Sequence, residues 1–268
     1  MRIIALALLT TTAQQLLFGT QQHRLLFATT QAFTTTRTLS TNHRRRYQST
    51  TTSSSTVSLS TSAAAAAAAA TMTTIQKVLV PIADDSEEIE TACITDTLTR
   101  FGAEVTIASV MPQKRLLCTM SRGMKVHADI AIEEIEELDT YDLIVCPGGM
   151  PGAQHLADCP ALTTLLRHQQ QNGKAYAAMC AAPAVIFAPQ GLLDGITGGG
   201  ATCYPAEAFR TQLQNPSEAN VVTSINADGG SRVTTSKGPG TALEFALALG
   251  EQLYGHDKRQ QIQKEMLC

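Results

Sequence analysis

The chain has 268 residues, 44% of them hydrophobic, 16% charged and 4% aromatic, with a formal net charge of −3. Residues 1–76 hold six arginines and no acidic residue, so residues 77–268 carry 14 basic against 23 acidic side chains, a balance of −9. A body that acidic excludes a basic reader of nucleic acid or anionic membrane, because counterion release would oppose binding. It leaves one domain of ordinary size behind a basic leader.

The leader, residues 1–74, is rich in Thr, Ser, Ala and Gln and ends near the alanine tract Ala63 to Ala70. Without strand or helix periodicity it is expected to be disordered. The apolar stretch Ile3 to Leu9 falls far short of the roughly 20 residues that a membrane span needs. Arginine with serine and threonine, and no acid, is the composition of an organelle transit peptide. A mitochondrial address, processed near Arg44-Arg45-Arg46-Tyr47, ranks ahead of a bipartite plastid leader with a junction at Ala32-Phe33. An unprocessed cytosolic form, or a start at Met72, ranks behind both. All seven cysteines lie beyond residue 76 without framework spacing, which suggests a reducing compartment and no structural disulfide.

The body, residues 75–268, is patterned. Val78 to Ile82 is an apolar strand, and Asp85 or Ser86 can cap a following helix with an acidic first turn. Ile89, Cys93, Ile94, Thr97 and Leu98 recur at helical spacing until Gly102. Glu104–Ala108 is the next strand, and Leu116–Thr119 with Met124–His127 suggests a hairpin. The carboxylate run Glu133 to Glu137 fits a solvated helix face. Asp142–Cys146 is a buried strand leading into Pro147-Gly148-Gly149. A polar helix over residues 159–171 precedes the inner strand Ala175–Met179. Short strands near Val221–Ile225 and Arg232–Ser236 come before a last apolar helix, about Thr241 to Tyr254. Apolar strands alternating with helices predict a mainly parallel sheet covered on both faces, with ligands beyond the carboxyl ends of its strands.

Three segments occupy such ends: the acidic turn, Gly148-Gly149 and Cys180. Cys180 leaves a strand between Ala178 and Ala182, small residues that permit the sharp turn of a nucleophile elbow. Helix N–H groups placed there are expected to lower the thiol pKa. The N–H groups of Gly148, Gly149 and Ala181 could together stabilise an oxyanion. Cys93 and Cys146 lie in apolar stripes and suit the core, while Cys118, Cys159 and Cys203 are loop-like, minor oxidation sites. Gly198-Gly199-Gly200 lacks the strand and helix of a nucleotide loop. With no Cys-x-x-Cys pair, and His155 and Cys159 isolated, no metal site is expected.

Four ordered motifs carry a family resemblance: Ser86-Glu87-Glu88-Ile89-Glu90-Thr91, Pro147-Gly148-Gly149 with Gly152-Ala153-Gln154, Ala177 to Pro183 around Cys180, and Ser236 to Thr241. Together they resemble the DJ-1/PfpI superfamily and, within it, the DJ-1 (parkinsonism-associated deglycase) branch, over nearly all of residues 76–268. The resemblance implies a flavodoxin-like three-layer α/β sandwich of the class I glutamine amidotransferase-like kind, a homodimer, and Glu90 as a carboxylic acid hydrogen-bonded to Cys180. A carboxyl buried beside a thiolate should keep its proton and could shuttle it. Ala181 stands where protease-like members have histidine, which disfavours a Cys-His peptidase. Tyr204 stands where many relatives have histidine, and a phenol is a poor base near neutrality.

The function implied is a hydrolase of the glyoxalase or deglycase type, with Cys180 attacking methylglyoxal, glyoxal or their early protein and nucleotide adducts. Covalent catalysis of this kind needs neither metal nor organic cofactor. The alternative is a redox sensor or chaperone that works through oxidation of Cys180. Amide hydrolysis lacks the His-x-Glu pair of the glutaminase triad.

Overall fold

The computed structural model describes residues 74–227 and 229–268; the leader up to residue 73 and its expected targeting role lie outside them. The first half runs β1 (Lys77–Ile82), α1 (Glu88–Phe101), β2 (Glu104–Ser109), β3 (Leu117–Thr119), β4 (Lys125–His127), β5 (Ile130–Ala131) and β6 (Leu143–Cys146). Next come α2 (Gly152–Ala157), α3 (Pro160–Gln171), β7 (Ala175–Met179) and, after a π-helical turn at Pro183–Phe187, β8 (Ile196–Thr197). The chain closes with α4 (Glu207–Arg210), β9 (Val221–Asn226), β10 (Arg232–Ser236), α5 (Ala242–Tyr254) and α6 (His256–Met266).

Eight strands form one sheet in the order β5-β2-β1-β6-β7-β10-β9-β8, and β3 pairs with β4 apart from it. From β5 to β10 the neighbours are parallel; β9 runs antiparallel to β10 and β8. The inner strands are apolar on both faces because both are covered. Val78, Val80, Ile82, Leu143 and Val145 face the layer of α1 and α5, where Ile94, Leu98, Phe245 and Leu249 meet them. Leu79, Ile144, Tyr176 and Ala178 face the opposite layer, with Leu156, Leu162, Leu165 and Phe187. Alternate residues of a strand point to opposite faces, so each strand serves two cores. The result is the expected flavodoxin-like α/β sandwich.

Helix α1 buries Glu90, Ile94, Leu98 and Phe101 on one stripe. It lies against α5, where a methyl group on Gly250 would come within 2.3 Å of the Phe101 ring. Gly250→Ala is expected to lose about 1–2 kcal/mol, the overpacking cost less the gain in helix propensity, read by urea unfolding. The cap of α1 differs from expectation: neither Asp85 nor Ser86 but Glu87 caps it, its carboxylate accepting the Glu90 N–H at 2.7 Å. Ser86 is instead buried, its hydroxyl accepting the Ala83 N–H at 3.0 Å. Asp85 takes a left-handed conformation in the preceding turn, at φ 63°.

Three further departures have simple causes. The run Glu133–Glu137 forms no helix face, only the single 3-10 turn Ile132–Glu134, because adjacent like charges without an apolar stripe leave nothing to pack. The segment after Cys180, whose helix N–H groups were expected at the sulfur, is π-helical rather than α-helical, Ala188 donating to the Pro183 carbonyl at 3.0 Å. Helix α6 went unforeseen because it buries a single residue, Ile262.

Candidate active site

The strand order sets β1, β6 and β7 side by side, so the acidic turn, Gly148-Gly149 and Cys180 meet at one end of the sheet. Cys180 ends β7 in a left-handed conformation, φ 60°, which a side chain adopts only under constraint. The constraint is visible: the Cys180 N–H donates to the Ser236 carbonyl at 2.9 Å, and its carbonyl accepts the Tyr204 N–H at 2.7 Å. Ala178 and Ala182, both fully buried, leave room for the turn. The sulfur-bearing side chain is 9% exposed and opens into a cavity of about 260 Å³.

Glu90 projects from the first turn of α1 and is fully buried. Its Oε2 accepts the Gly148 N–H at 2.7 Å. Its Oε1 is buried without a hydrogen-bond partner of good geometry, while the Cys180 thiol is the side-chain donor acting on the carboxyl. Burial pushes the Glu90 pKa up to about 7, against the Gly148 and Cys180 hydrogen bonds. The carboxyl therefore holds its proton up to neutrality.

The thiol departs from expectation. The N–H groups of Gly149 and Ala181 do act on the sulfur and lower its pKa, yet burial first and the Glu90 charge second push it up to about 12. Desolvation outweighs two N–H dipoles, and an ionised Glu90 beside the sulfur opposes a second negative charge. Glu90 therefore gives up its proton at lower pH than Cys180 does.

Gly148 also departs from expectation. Its N–H is committed to Glu90, which removes it from the oxyanion set and leaves Gly149 and Ala181. Its carbonyl accepts the Glu87 N–H at 3.0 Å, so this one residue grips both the start of α1 and the carboxyl. A side chain here is precluded, since a Cβ would lie 2.5 Å from that of Cys180. Tyr204 lines the cavity, 45% exposed, and its ring meets Phe209 edge-on at 6.2 Å between centroids.

Sequence reasoning missed the wall opposite. Ser121 and Arg122, in the turn between β3 and β4, line the cavity. Buried Glu88 holds that turn, accepting the Ser121 hydroxyl at 2.8 Å and the Arg122 N–H at 2.7 Å. The adjacent pair Glu87-Glu88 was the available signal, since two acids opening a helix have more than the macrodipole to satisfy. Phe209 and Pro239 also line the cavity; Phe209 carried no sequence signal, and Pro239 lies in the fourth motif. Among the described residues no three of His, Cys, Asp or Glu converge as metal ligands, and no helix is long and apolar enough to cross a membrane. Five other cysteines sit apart: Cys118, Cys146 and Cys203 are buried, and Cys93 and Cys159 half-buried. Burial raises the pKa of each.

Comparison with known proteins identifies the family. The model of the DJ-1/PfpI family matches residues 76–252. Protein DJ-1 homolog B of Arabidopsis thaliana is 41% identical over 191 residues, 71% of this chain but 41% of that protein. The chain thus spans about two fifths of the length of that plant relative. The glutathione-independent glyoxalase DJR-1.2 of Caenorhabditis elegans is 36% identical over 70% of this chain and 94% of its own. The solved structure of oxidised Toxoplasma gondii DJ-1 superposes with a TM-score of 0.65 at 44% identity, covering 72% of this chain and 98% of the other. With the four motifs standing around one buried cysteine–carboxyl pair, the chain belongs to the DJ-1/PfpI family, on its DJ-1 branch.

Proposed function

We propose that the protein is a cofactor-independent, cysteine-dependent hydrolase of the glyoxalase or deglycase type, removing methylglyoxal, glyoxal or their early adducts. The observation that carries this reading is the proton-holding Glu90 against the Cys180 sulfur, with two N–H groups directed at the same atom. The glyoxalase name of the Caenorhabditis relative supports it. In the proposed sequence, Cys180 passes its proton to the carboxylate form of Glu90 and adds to the aldehyde carbon. The carbonyl electron pair moves to oxygen, where the Gly149 and Ala181 N–H groups receive the charge. Glu90 gives that proton to the oxygen, and its carboxylate then removes the proton on the attacked carbon and returns it to the neighbouring carbonyl carbon, while the hydroxyl proton passes to that carbonyl's oxygen, so that one carbon is oxidised as the other is reduced. The product is a thioester on Cys180. Water cleaves it, releasing lactate or glycolate and restoring the thiol; no external oxidant or reductant enters. From an adduct, the amine or thiol departs before the thioester forms.

The test is lactate formation from methylglyoxal by residues 72–268. Cys180→Ala is expected to abolish it, and Glu90→Gln to reduce it at least about 100-fold, the usual weight of general acid–base catalysis. Undiminished lactate from Cys180→Ala would end the proposal. The same N–H donors and acid would also steady a sulfinate, which supports redox sensing as the second reading. That reading expects no turnover, together with a two-oxygen mass gain confined to Cys180 under mild peroxide.

A further inference from the structure

The cavity at Cys180 is larger and more apolar than the smallest 2-oxoaldehydes require. At about 260 Å³ it approaches the roughly 300 Å³ at which pockets begin to take drug-sized molecules, whereas methylglyoxal has five non-hydrogen atoms. Each polar side chain of the lining already has a partner in the protein. Glu87 accepts the Glu90 N–H at 2.7 Å, the Ser121 hydroxyl donates to Glu88 at 2.8 Å, and the Arg122 guanidinium donates to the Ser121 carbonyl at 3.1 Å. One carboxylate and one guanidinium leave no net charge in the lining to draw an ionic substituent. What stays open is apolar: Met150, Tyr204, Phe209 and Pro239.

Two of these four are aromatic, and their rings stand at 87° to each other, as two sides of a corner. A third ring placed there can stack on one and meet the other edge-on, the two arrangements that aromatic pairs favour. The corner adjoins the nucleophile. The point where a Cβ on Gly238 would stand is 3.5 Å from the Tyr204 ring and 4.0 Å from the Cys180 sulfur, so ring and sulfur lie on either side of one side chain's width. Glycine at that position leaves the gap open. The Tyr204 N–H, donating to the Cys180 carbonyl at 2.7 Å, holds the ring in register with the elbow.

We infer that Tyr204 and Phe209 are specificity residues that select 2-oxoaldehydes carrying an aromatic substituent, the aryl ring seated in the corner while the aldehyde carbon lies at the Cys180 sulfur. The inference rests on the reaction proposed above and names its preferred substrate class. The chemistry is unchanged. Phenylglyoxal, ten non-hydrogen atoms, takes up one water and leaves as mandelate, its aldehyde carbon oxidised and its ketone carbon reduced.

Phenylglyoxal and methylglyoxal differ in intrinsic reactivity, so the readout is how the ratio of their kcat/KM values changes between the protein and its variants. Tyr204→Ser, at an exposed position, should lower kcat/KM for phenylglyoxal about tenfold, the scale of a lost ring contact with the area it buried. Phe209→Leu, which keeps apolar bulk and removes the ring, should lower it about fivefold. Both losses should be carried by KM, and methylglyoxal should lose no more than about twofold in either variant. A ratio that stays the same in both variants would overturn the aromatic site and leave the reaction standing. Ring NMR signals of Tyr204 and Phe209 in the Cys180→Ala protein, titrated with acetophenone and with acetone, read the site without turnover; acetophenone alone is expected to shift them. Equal shifts by the two ketones, or none by either, would also overturn the site. Selective shifts, alongside a parent protein that turns over neither aldehyde, would remove the reaction and keep the aromatic site.

Discussion

Glu90→Gln is expected to unfold at a temperature roughly 5–10 °C above the parent protein at pH 8, and at nearly the same temperature at pH 4.5. The cause is the buried carboxyl, held at about 7 in the fold against 4.5 as its ordinary value. Between those two values the folded chain retains a proton that the unfolded chain has released. Stability therefore falls as pH rises through this window, by roughly 3 kcal/mol once the carboxyl is ionised in both states. Glutamine cannot ionise, so it escapes the loss. Its carbonyl can still accept the Gly148 N–H, and its amide can face the sulfur. At about 2–4 °C per kcal/mol for a body of this length, the stated shift follows. The same substitution removes the negative charge beside Cys180, so the thiol pKa should fall below about 12, visible as thiolate absorbance at lower pH. A more stable protein with a more easily ionised thiol and almost no turnover is the combined signature. Melting temperatures that differ by the same amount at both pH values would show that Glu90 is not held protonated.

These expectations also mark how far the sequence could be read. Val78 to Ile82 and Leu143 to Cys146 announced covered strands because every residue in them is apolar, and a parallel inner strand has no face to leave wet. Cys180 was legible as an elbow because Ala178 and Ala182 clear its flanks; the left-handed φ of 60° is the conformation such a turn needs. What escaped was whatever depends on direction. That a strand ends at Gly148-Gly149 can be read from residue types, but not that the first N–H serves Glu90 and only the second the sulfur. The sign of the Cys180 shift escaped for a related reason: N–H groups nearby can be inferred from an elbow, whereas desolvation depends on everything packed around it. Glu88 looked like first-turn acidity and is instead a buried clasp on Ser121 and Arg122. Phe209 sits on a four-residue helix, too short to show a period.

Gly149→Ala is expected to cost about 3 kcal/mol or more in urea unfolding and to lower lactate formation by at least about 100-fold. Gly149 has a φ of 92°, where an L side chain is strained, and a Cβ there would stand 2.3 Å from the Asp85 carbonyl oxygen and 2.7 Å from the Glu87 nitrogen. Both are backbone atoms, so no rotamer change relieves the contact. The segment that would have to move is the turn from which α1 starts, and Glu90 lies on the first turn of that helix. Displacing it draws the carboxyl off the sulfur as well as loosening the Glu87 N–H to Gly148 carbonyl bond. Gly102→Ala separates the two causes: φ is 100° there, and nothing lies within 4 Å of the added methyl. It should cost only the roughly 1–2 kcal/mol of a left-handed alanine and leave turnover intact. Were the two substitutions equally costly, backbone strain alone would account for both. The close approach of the Gly149 loop to the acidic turn would then have no part in holding the Glu90 carboxyl against Cys180.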